Sequence, residues 1–351
     1  MSLARMIEDA GCTVDASVCP RQTPVRHELA NGFTTEGESG RMESLNRMAI
    51  ELVDEALDYA EELNIGGYDL ENESTVLDFG LEFDGGIEAG LLLTEIQTAG
   101  MATPSYELGE LGDASIPYVE LSTDQPALSL LCSQKAGWEV MTEDFEGLGS
   151  GPARALVAEE DEFRRIGYTD AFDLTALAVE TEMDPTESVA EHVADRAEVE
   201  TSSVFLLAYP TASIAGSITN AARAAELATF RLSELGYDPL DIVSATGRAP
   251  VAPVAGDERT AIARTNDAIA YGGRAHLTVR EDADVFDSVP STAAEDHGRP
   301  FGEVFDDLDW DFAEVPSDLF APATVTIDVI GGPTYVHGET DEELLVDSFE
   351  L

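Results

Sequence analysis

Helical and extended patterns alternate along this sequence, and the alternation predicts an α/β fold with two layers around one sheet per domain. The chain has 351 residues, of which 44% are apolar, so it can bury the core of one large α/β unit or of two domains. Its acidic residues are spread along the chain and not gathered in a tail, which favours a folded protein over a disordered one.

The first helix is predicted over residues 44–64, where Met48, Leu52 and Tyr59 recur at helical spacing and Ser44 is the expected N-cap. A pair of glycines comes after its end. The other predicted elements are, in chain order, strands at 75–79 and 116–121, a helix at 189–199, a strand at 203–208, a helix at 220–235 and a C-terminal hairpin of 323–329 with 334–337.

The charge balance is extreme, with 18 lysines and arginines against 71 acidic residues and a net charge of −53. A folded chain with this charge needs strong screening, and the Debye length falls to about 3 Å at 1 M salt. The composition therefore predicts a cytoplasmic protein of a cell with molar internal salt. The same charge repels phosphate backbones, which argues against nucleic acid as a partner.

Several classes of protein lack support. No stretch approaches 18 consecutive apolar residues and no apolar segment comes after the start, so neither a membrane span nor a signal peptide is expected. Cys12, Cys19 and Cys132 form no disulfide framework, and the five histidines have no partners at ligand spacing, so no metal is expected. The sequence contains no G-x-S-x-G turn to carry a nucleophilic serine, so nothing in it supports a serine hydrolase.

Residues 1–41 differ in charge from the segment after them. They hold six acids and four bases, whereas residues 42–100 hold 15 acids and one base, Arg47. A second methionine, Met42, stands at the boundary. Two interpretations stay open, a spurious upstream translation and a genuine disordered arm, and neither assigns chemistry to these residues.

Residues 203–279 form a nearly neutral window, with seven acids and six bases. If every solvated surface of this chain is loaded with carboxylates, a neutral window marks surface that is hidden or committed. Ordinary burial, a subunit interface and a substrate pocket are all compatible with it.

Within that window, the segment TNAARAAELATF predicts an alanine-rich helix with Arg223 and Glu226 at i,i+3, on one face. Such a pair is usually a solvated surface bridge. Here small residues flank it, which favours close packing and a carboxylate held against a guanidinium as an acid/base pair. Just upstream, residues 210–218 (PTASIAGSI) supply hydroxyls and small side chains where a ligand can approach the backbone.

Lysine usage gives a second candidate, because the 18 basic residues are 17 arginines and one lysine, Lys135. It lies in the weakly charged segment CSQKAGW, where an ammonium can meet a carboxylate or a substrate oxygen as a point charge. Chance survival of one lysine is the alternative. A third segment, GLGSGPARA at residues 147–155, predicts a tight entry into a helix and supports nucleotide binding only weakly. Its Arg154 can point towards a ligand or away from one.

Taken together, these segments resemble archaeal methenyltetrahydromethanopterin cyclohydrolases over residues 42–351. The resemblance is carried, in family order, by SLNRMAIELVDEALDYAEELNI, IEAGLLLTEIQTAGMA, SQKAGW, GSGPARAL, PTASIAGSI, ARAAELATF, GYDPLDIVSATGRAPVAPV and RTNDAIAYGG, with VPS, GRPFGEVF, LFAPA and YVHG after them.

The resemblance implies two α/β domains, at residues 42–150 and 151–351, with a pterin pocket between them and C-terminal strands that can return to the first. It implies a homotrimer, no metal or redox cofactor, and hydrolysis of a methenyl bridge on a reduced pterin. The matching active-site residues are Glu226, Arg223 and Lys135. Further candidate substrate-binding residues in the matched segments are Ser133, Gln134, Ser150, Pro152, Thr211, Ser213, Ser217 and Asn266.

Two alternatives remain beside this function. The same reaction can use methenyltetrahydrofolate, since the distal tail of the pterin and not its reacting centre separates the two carriers. A non-catalytic pterin-binding protein is the other, although such a module has no need of Glu226, Arg223 and Lys135.

The net charge of −53 yields a first prediction. In dilute buffer the carboxylates repel one another unscreened, so the cooperative thermal transition seen in molar KCl should be lost or move to much lower temperature. Thermal melts followed by circular dichroism at both salt concentrations test this. A low-salt melt as cooperative and as high as that in molar KCl would refute the salt-adaptation interpretation.

Overall fold

The computed structural model describes residues 43–311 and 314–351, which belong to one compact unit. The predictions for residues 1–41 lie outside them. The α-helices of this part are α1 (Leu45–Asp58), α2 (Ala60–Leu63), α3 (Ile87–Gln97), α4 (Ala153–Val157), α5 (Asp161–Ile166), α6 (Glu187–Ala197), α7 (Ile214–Ala221), α8 (Ala224–Glu234), α9 (Glu258–Gly272), α10 (Phe301–Asp307) and α11 (Glu342–Phe349). None of these described helices is long and apolar enough to cross a bilayer.

The strands form two six-stranded sheets in the described part of the chain. They are β1 (Gly66–Asp69), β2 (Thr75–Asp78), β3 (Thr103–Leu111), β4 (Ala114–Thr123), β5 (Trp138–Thr142), β6 (Phe145–Ser150), β7 (Thr175–Glu180), β8 (Val204–Tyr209), β9 (Ile242–Pro250), β10 (Arg274–Val279), β11 (Thr324–Val329) and β12 (Thr334–Gly338).

The first sheet has the order β1-β2-β8-β7-β6-β5, and its central strands β2, β8 and β7 run parallel. The second sheet has the order β12-β11-β10-β9-β4-β3 and is antiparallel except between β10 and β11. These mixed sheets with their helices confirm the predicted α/β class, and the C-terminal hairpin is present as β11 and β12. Each sheet takes strands from both sides of residue 150, and the division into domains there stays a prediction.

Two predicted helices differ from the structure at their ends. The first breaks at Tyr59, between α1 and α2. The helix expected over 220–235 is divided by a turn at residues 222 and 223. The first of the two helices, α7, starts earlier than expected, where the Ser213 hydroxyl accepts from the Gly216 amide within the segment expected to approach a ligand. α7 ends at Ala221, and Arg223 lies in the turn that starts α8.

Helices α7 and α8 carry the chain from the first sheet to the second, since they connect β8 with β9. Most residues of both helices are buried, so this part of the neutral window lies in the interior. The start of α8 rests directly on β9: a Cβ added to Gly247 would lie 2.1 Å from the backbone nitrogen of Ala225. This backbone-to-backbone contact fixes where the residues of α8 stand.

Helix α9 is tied to the C-terminal region by a buried acid. The carboxylate of Asp267 accepts from the Phe301 amide at 2.8 Å, at the start of α10, and from the Ser348 hydroxyl at 2.6 Å in α11. Burial raises the pKa of Asp267 to about 6, although both hydrogen bonds oppose that rise. The side chain therefore holds three helices together and disfavours its own charged form.

Asp267→Asn should remove a pH dependence of stability. Because the folded pKa of about 6 lies above the ordinary 3.8, the native state binds the extra proton, and wild-type stability falls as pH rises between these values. We expect the variant to gain, relative to wild type, on the order of 3 kcal/mol of unfolding free energy from pH 4 to pH 7. Denaturant titrations in molar KCl measure this, and parallel pH profiles for the two proteins would contradict it.

Candidate active site

Arg223 and Glu226 form a closed ion pair at the start of α8. The Glu226 Oε2 atom accepts from Arg223 Nε at 3.0 Å and from Nη2 at 2.9 Å. Glu226 has no exposed surface, and its Oε1 atom is buried without a hydrogen-bond partner among the described residues. One carboxylate oxygen is thus held by a cation while the other is available to accept a proton.

A second carboxylate, that of Glu180, lies near enough to act electrostatically on the same guanidinium. Burial lowers the pKa of Arg223, but the charges of Glu226 and Glu180, and then the Tyr209 phenol, raise it by more than burial lowers it. The net shift of the pKa is upward, so the guanidinium keeps its charge. Glu180 ends β7, and its Oε1 atom accepts from the Thr211 hydroxyl and from Asn220 Nδ2 at 2.9 Å.

The sequence patterns did not indicate Glu180. A signal for it existed, because ligand sites in α/β sheets gather at the carboxyl ends of parallel strands, and β7 is one. That β7 lies beside β8 required the strand pairing, however, and local sequence patterns do not supply it.

Lys135 comes directly after a π-helix, Ala127–Gln134, that packs against α8. Such helices are frequent at functional sites. Its ammonium lies 2.8 Å from Glu160 Oε2 and 3.4 Å from Glu162 Oε1. It also stands 4.7 Å from the ring centroid of Phe230, which lies one helical turn beyond Glu226 on α8. Lys135 is therefore placed next to the Glu226 face of α8, and its ion-pair partners are Glu160 and Glu162.

A buried glutamine joins several of the predicted residues. Gln97 Nε2 donates to the Ser150 hydroxyl at 2.9 Å and to the Tyr209 hydroxyl at 3.2 Å, and its Oε1 accepts from the Thr219 hydroxyl. Its backbone carbonyl accepts from the Ser133 hydroxyl at 2.6 Å. Gln97 thus connects α3 to the π-helix, to β6, to β8 and to α7, and no sequence motif singles it out.

Gln134 and Pro152, predicted with Ser133 and Ser150, lie in the same buried region. Gln134 Nε2 lies 3.5 Å from the Ala222 carbonyl, while its Oε1 is buried without a partner in the described part of the chain. The Pro152 carbonyl accepts from Asn46 Nδ2 at 2.8 Å. Gln134 is accordingly the member of this group that retains an acceptor beside the start of α8.

The other predicted binding residues occupy the loop before α7, α7 itself and α9. Thr211 donates to Glu180, Ser213 caps α7, and Ser217 is buried within that helix. Asn266 is half-buried on α9 and bonds its own helix through the Ile262 carbonyl at 2.8 Å. The structure therefore places Thr211 beside Glu180. The hydrogen bond of Asn266, in contrast, stays within α9.

Glu258, the first residue of α9, binds the backbone of the loop before α7. It accepts from the Thr211 and Ala212 amides at 2.7 and 2.9 Å. Burial raises the pKa of Glu258, the bonds to Thr211 and Ala212 lower it, and the nearby charge of Glu180 adds to the rise. Two carboxylates therefore flank Thr211.

Two cavities lie beside acidic side chains. One of about 380 Å³ lies between α1 and α3 among Glu55, Glu62, Glu88 and Glu95, and none of the predicted site residues lines it. Another of about 360 Å³ borders Glu160 beside the Lys135 cluster. Over residues 43–311 and 314–351, no three His, Cys, Asp or Glu side chains converge as a metal site.

Comparison with known proteins identifies the family. The family model described as Cyclohydrolase (MCH) matches residues 44–349. A methenyltetrahydromethanopterin cyclohydrolase of Halobacterium salinarum is 58% identical over 310 residues, covering 88% of this chain and 100% of the relative. Relatives of the same name from Methanothermobacter marburgensis and Methanocella arvoryzae are 39% and 38% identical, again over 88% of this chain and over 100% and 98% of their own lengths. The resemblance found in the sequence is thereby confirmed, and the chain belongs to the Cyclohydrolase (MCH) family of methenyltetrahydromethanopterin cyclohydrolases.

Proposed function

We propose that this protein hydrolyses the methenyl bridge between N5 and N10 of 5,10-methenyltetrahydromethanopterin, giving the N5-formyl product in reversible one-carbon metabolism. The observation that carries the proposal is the Glu226 carboxylate, which is buried, held at one oxygen by Arg223 and unpartnered at the other among the described residues. The names of the relatives support the same reaction and the same pterin.

The chemistry needs one group that both takes and returns a proton. The methenyl bridge is an amidinium-like cation, and water adds to its carbon while Glu226 Oε1 takes a proton. The resulting carbinolamine breaks its C–N10 bond as Glu226 returns that proton to N10. The hydroxyl proton leaves to solvent, so the reaction consumes one water and releases one proton.

Arg223 and Lys135 assist without exchanging protons. Arg223 binds one oxygen of Glu226 and so holds the carboxylate, with its other oxygen, in one orientation. Lys135 supplies a positive charge that orients the water or the nascent formyl oxygen. Gln134, with its buried Oε1 acceptor, is the best supported of the proposed pterin-binding residues.

We also propose that the reaction uses no redox cofactor, because addition of water and proton transfer change no oxidation state, and no metal, because the amidinium-like carbon is already electrophilic. We also propose a cytoplasmic homotrimer. Large apolar side chains on both outer strands of the second sheet support self-association: Leu108 of β3 is 71% exposed and Val336 of β12 is 66% exposed. Light scattering in molar KCl should give three times the chain mass, and a monomer would exclude the trimer.

The identity of the carrier is tested by absorbance. Methenyltetrahydromethanopterin and methenyltetrahydrofolate are each mixed with the protein in molar KCl, and the methenyl band is followed. We expect rapid loss of the band with the methanopterin substrate. Loss with the folate substrate alone would favour that carrier, and loss with neither, from a cooperatively folded protein, would favour a non-catalytic pterin-binding protein.

Glu226→Gln should lower kcat by about 10²-fold to 10⁴-fold, because an amide cannot take the proton from water, while pterin binding survives. The matched control is Glu234→Gln, which removes the acid of another i,i+3 arginine pair on the same helix, Arg231–Glu234. Stopped-flow turnover and pterin titration measure both variants. A near-normal rate for Glu226→Gln would remove Glu226 from the mechanism.

A further inference from the structure

The carboxylate of Glu160 binds two cations instead of capping the helix that it precedes. Glu160 is the N-cap residue of α5, yet its carboxylate makes no capping bond to that helix. Its Oε1 accepts from Arg154 Nε at 2.9 Å, and its Oε2 accepts from Arg154 Nη2 at 2.6 Å and from Lys135 Nζ at 2.8 Å. The acid is thus shared between two cations.

Arg154 anchors this arrangement to the backbone that leads to Lys135. Its side chain has no exposed surface, and its Nη1 donates to the carbonyls of Leu131 and Ser133 at 3.3 and 3.1 Å. These carbonyls belong to the π-helix that ends immediately before Lys135. One guanidinium therefore fixes both the π-helix and the carboxylate that receives the lysine side chain.

The charges of the cluster balance. Lys135 and Arg154 face Glu160 and Glu162, so two cations meet two anions in a region where the lysine side chain is only 13% exposed. Burial raises the pKa of Glu160, but Arg154 and then Lys135 outweigh it, so the net shift is downward and the carboxylate stays charged.

The space for this ion pair depends on a glycine. A Cβ added to Gly137 would lie 2.5 Å from Glu160 Oε2 and 3.1 Å from Lys135 Nζ. Because both atoms are at the ends of flexible side chains, an added methyl group would displace them and leave the backbone in place. Gly137 thus permits the contact between the carboxylate and the ammonium.

We propose that Glu160 is a positioning residue that holds the Lys135 ammonium beside the ring of Phe230, one turn along α8 from Glu226. The inference rests on the proposed function, in which Lys135 supplies a fixed positive charge at the reacting centre. In this proposal Glu160 acts through Lys135 and needs no contact of its own with the pterin.

The kinetic test uses Glu160→Gln and Gly137→Ala, each alone and in a Lys135→Gln background. Glu160→Gln should lower kcat by about 10-fold to 100-fold with little change in KM, because misplacing a catalytic charge by about 1 Å has effects of this size. Gly137→Ala keeps every charge and should act in the same direction, more weakly. In the Lys135→Gln background neither change should lower kcat further.

The matched control is Glu159→Gln. Glu159 precedes Glu160, is exposed and pairs with Arg196 at 2.6 Å, so its loss removes an acid from the same segment without touching Lys135. This variant should keep the wild-type kcat. Full additivity of Glu160→Gln with Lys135→Gln, or an equal loss in Glu159→Gln, would overturn the proposal. If Glu160→Gln fails to fold, Gly137→Ala carries the same comparison.

A second readout does not depend on activity. Because Lys135 is the sole lysine, ¹⁵N-lysine labelling yields a single side-chain ammonium signal. It should be protected from exchange with water in the wild type and in Glu159→Gln, and broadened in Glu160→Gln and Gly137→Ala. Protection unchanged in both of the latter would overturn the positioning role. An inactive wild-type protein with this protection pattern would instead refute only the proposed function.

Discussion

The ion pair between Glu226 and Arg223 constrains the rest of the site, because removing one partner of a buried ion pair is strongly destabilising. Arg223 lies in the turn between α7 and α8, and the nearby charge of Glu180 also acts on its guanidinium. The backbone contact at Gly247 sets the position of that turn against the second sheet. The position of this one arginine therefore depends on the connection between the two sheets and on the backbone contact of α8 with β9.

Pairing of cations with acids also allows a chain of net charge −53 to place charged side chains in its interior. Its buried and partly buried cations stand beside acids: Arg223 pairs with Glu226 and lies near Glu180, and Arg154 and Lys135 share Glu160 and Glu162. Molar salt screens exposed charges over a few ångströms but acts much less on buried pairs. In molar salt the acidic surface is thus screened while the electrostatics of the buried pairs are retained.

The two groups of charges meet at α8. Glu226 and Phe230 are one turn apart on this helix, and the ammonium of Lys135 lies against the ring of Phe230. Gln97 connects the surrounding segments through side-chain and backbone hydrogen bonds. A buried carboxylate and an ammonium are therefore supported from different parts of the chain, as the proposed addition of water and loss of an amine require.

The sequence by itself determined the α/β class, some of the described helices and strands, among them α6 and the C-terminal hairpin of β11 and β12, and the pairing of Arg223 with Glu226, because helical geometry alone places residues three apart on one face. It also singled out Lys135, through the loss of every other lysine. Only the tertiary structure decided that Glu180 lies near Arg223 and that Glu160 pairs with Lys135. Those contacts depend on the pairing of β7 with β8 and on the packing of α5 against the π-helix, which join residues distant in sequence. Local patterns specify neighbours along a helix or strand, whereas the partners of a buried charge are set by which elements pack together.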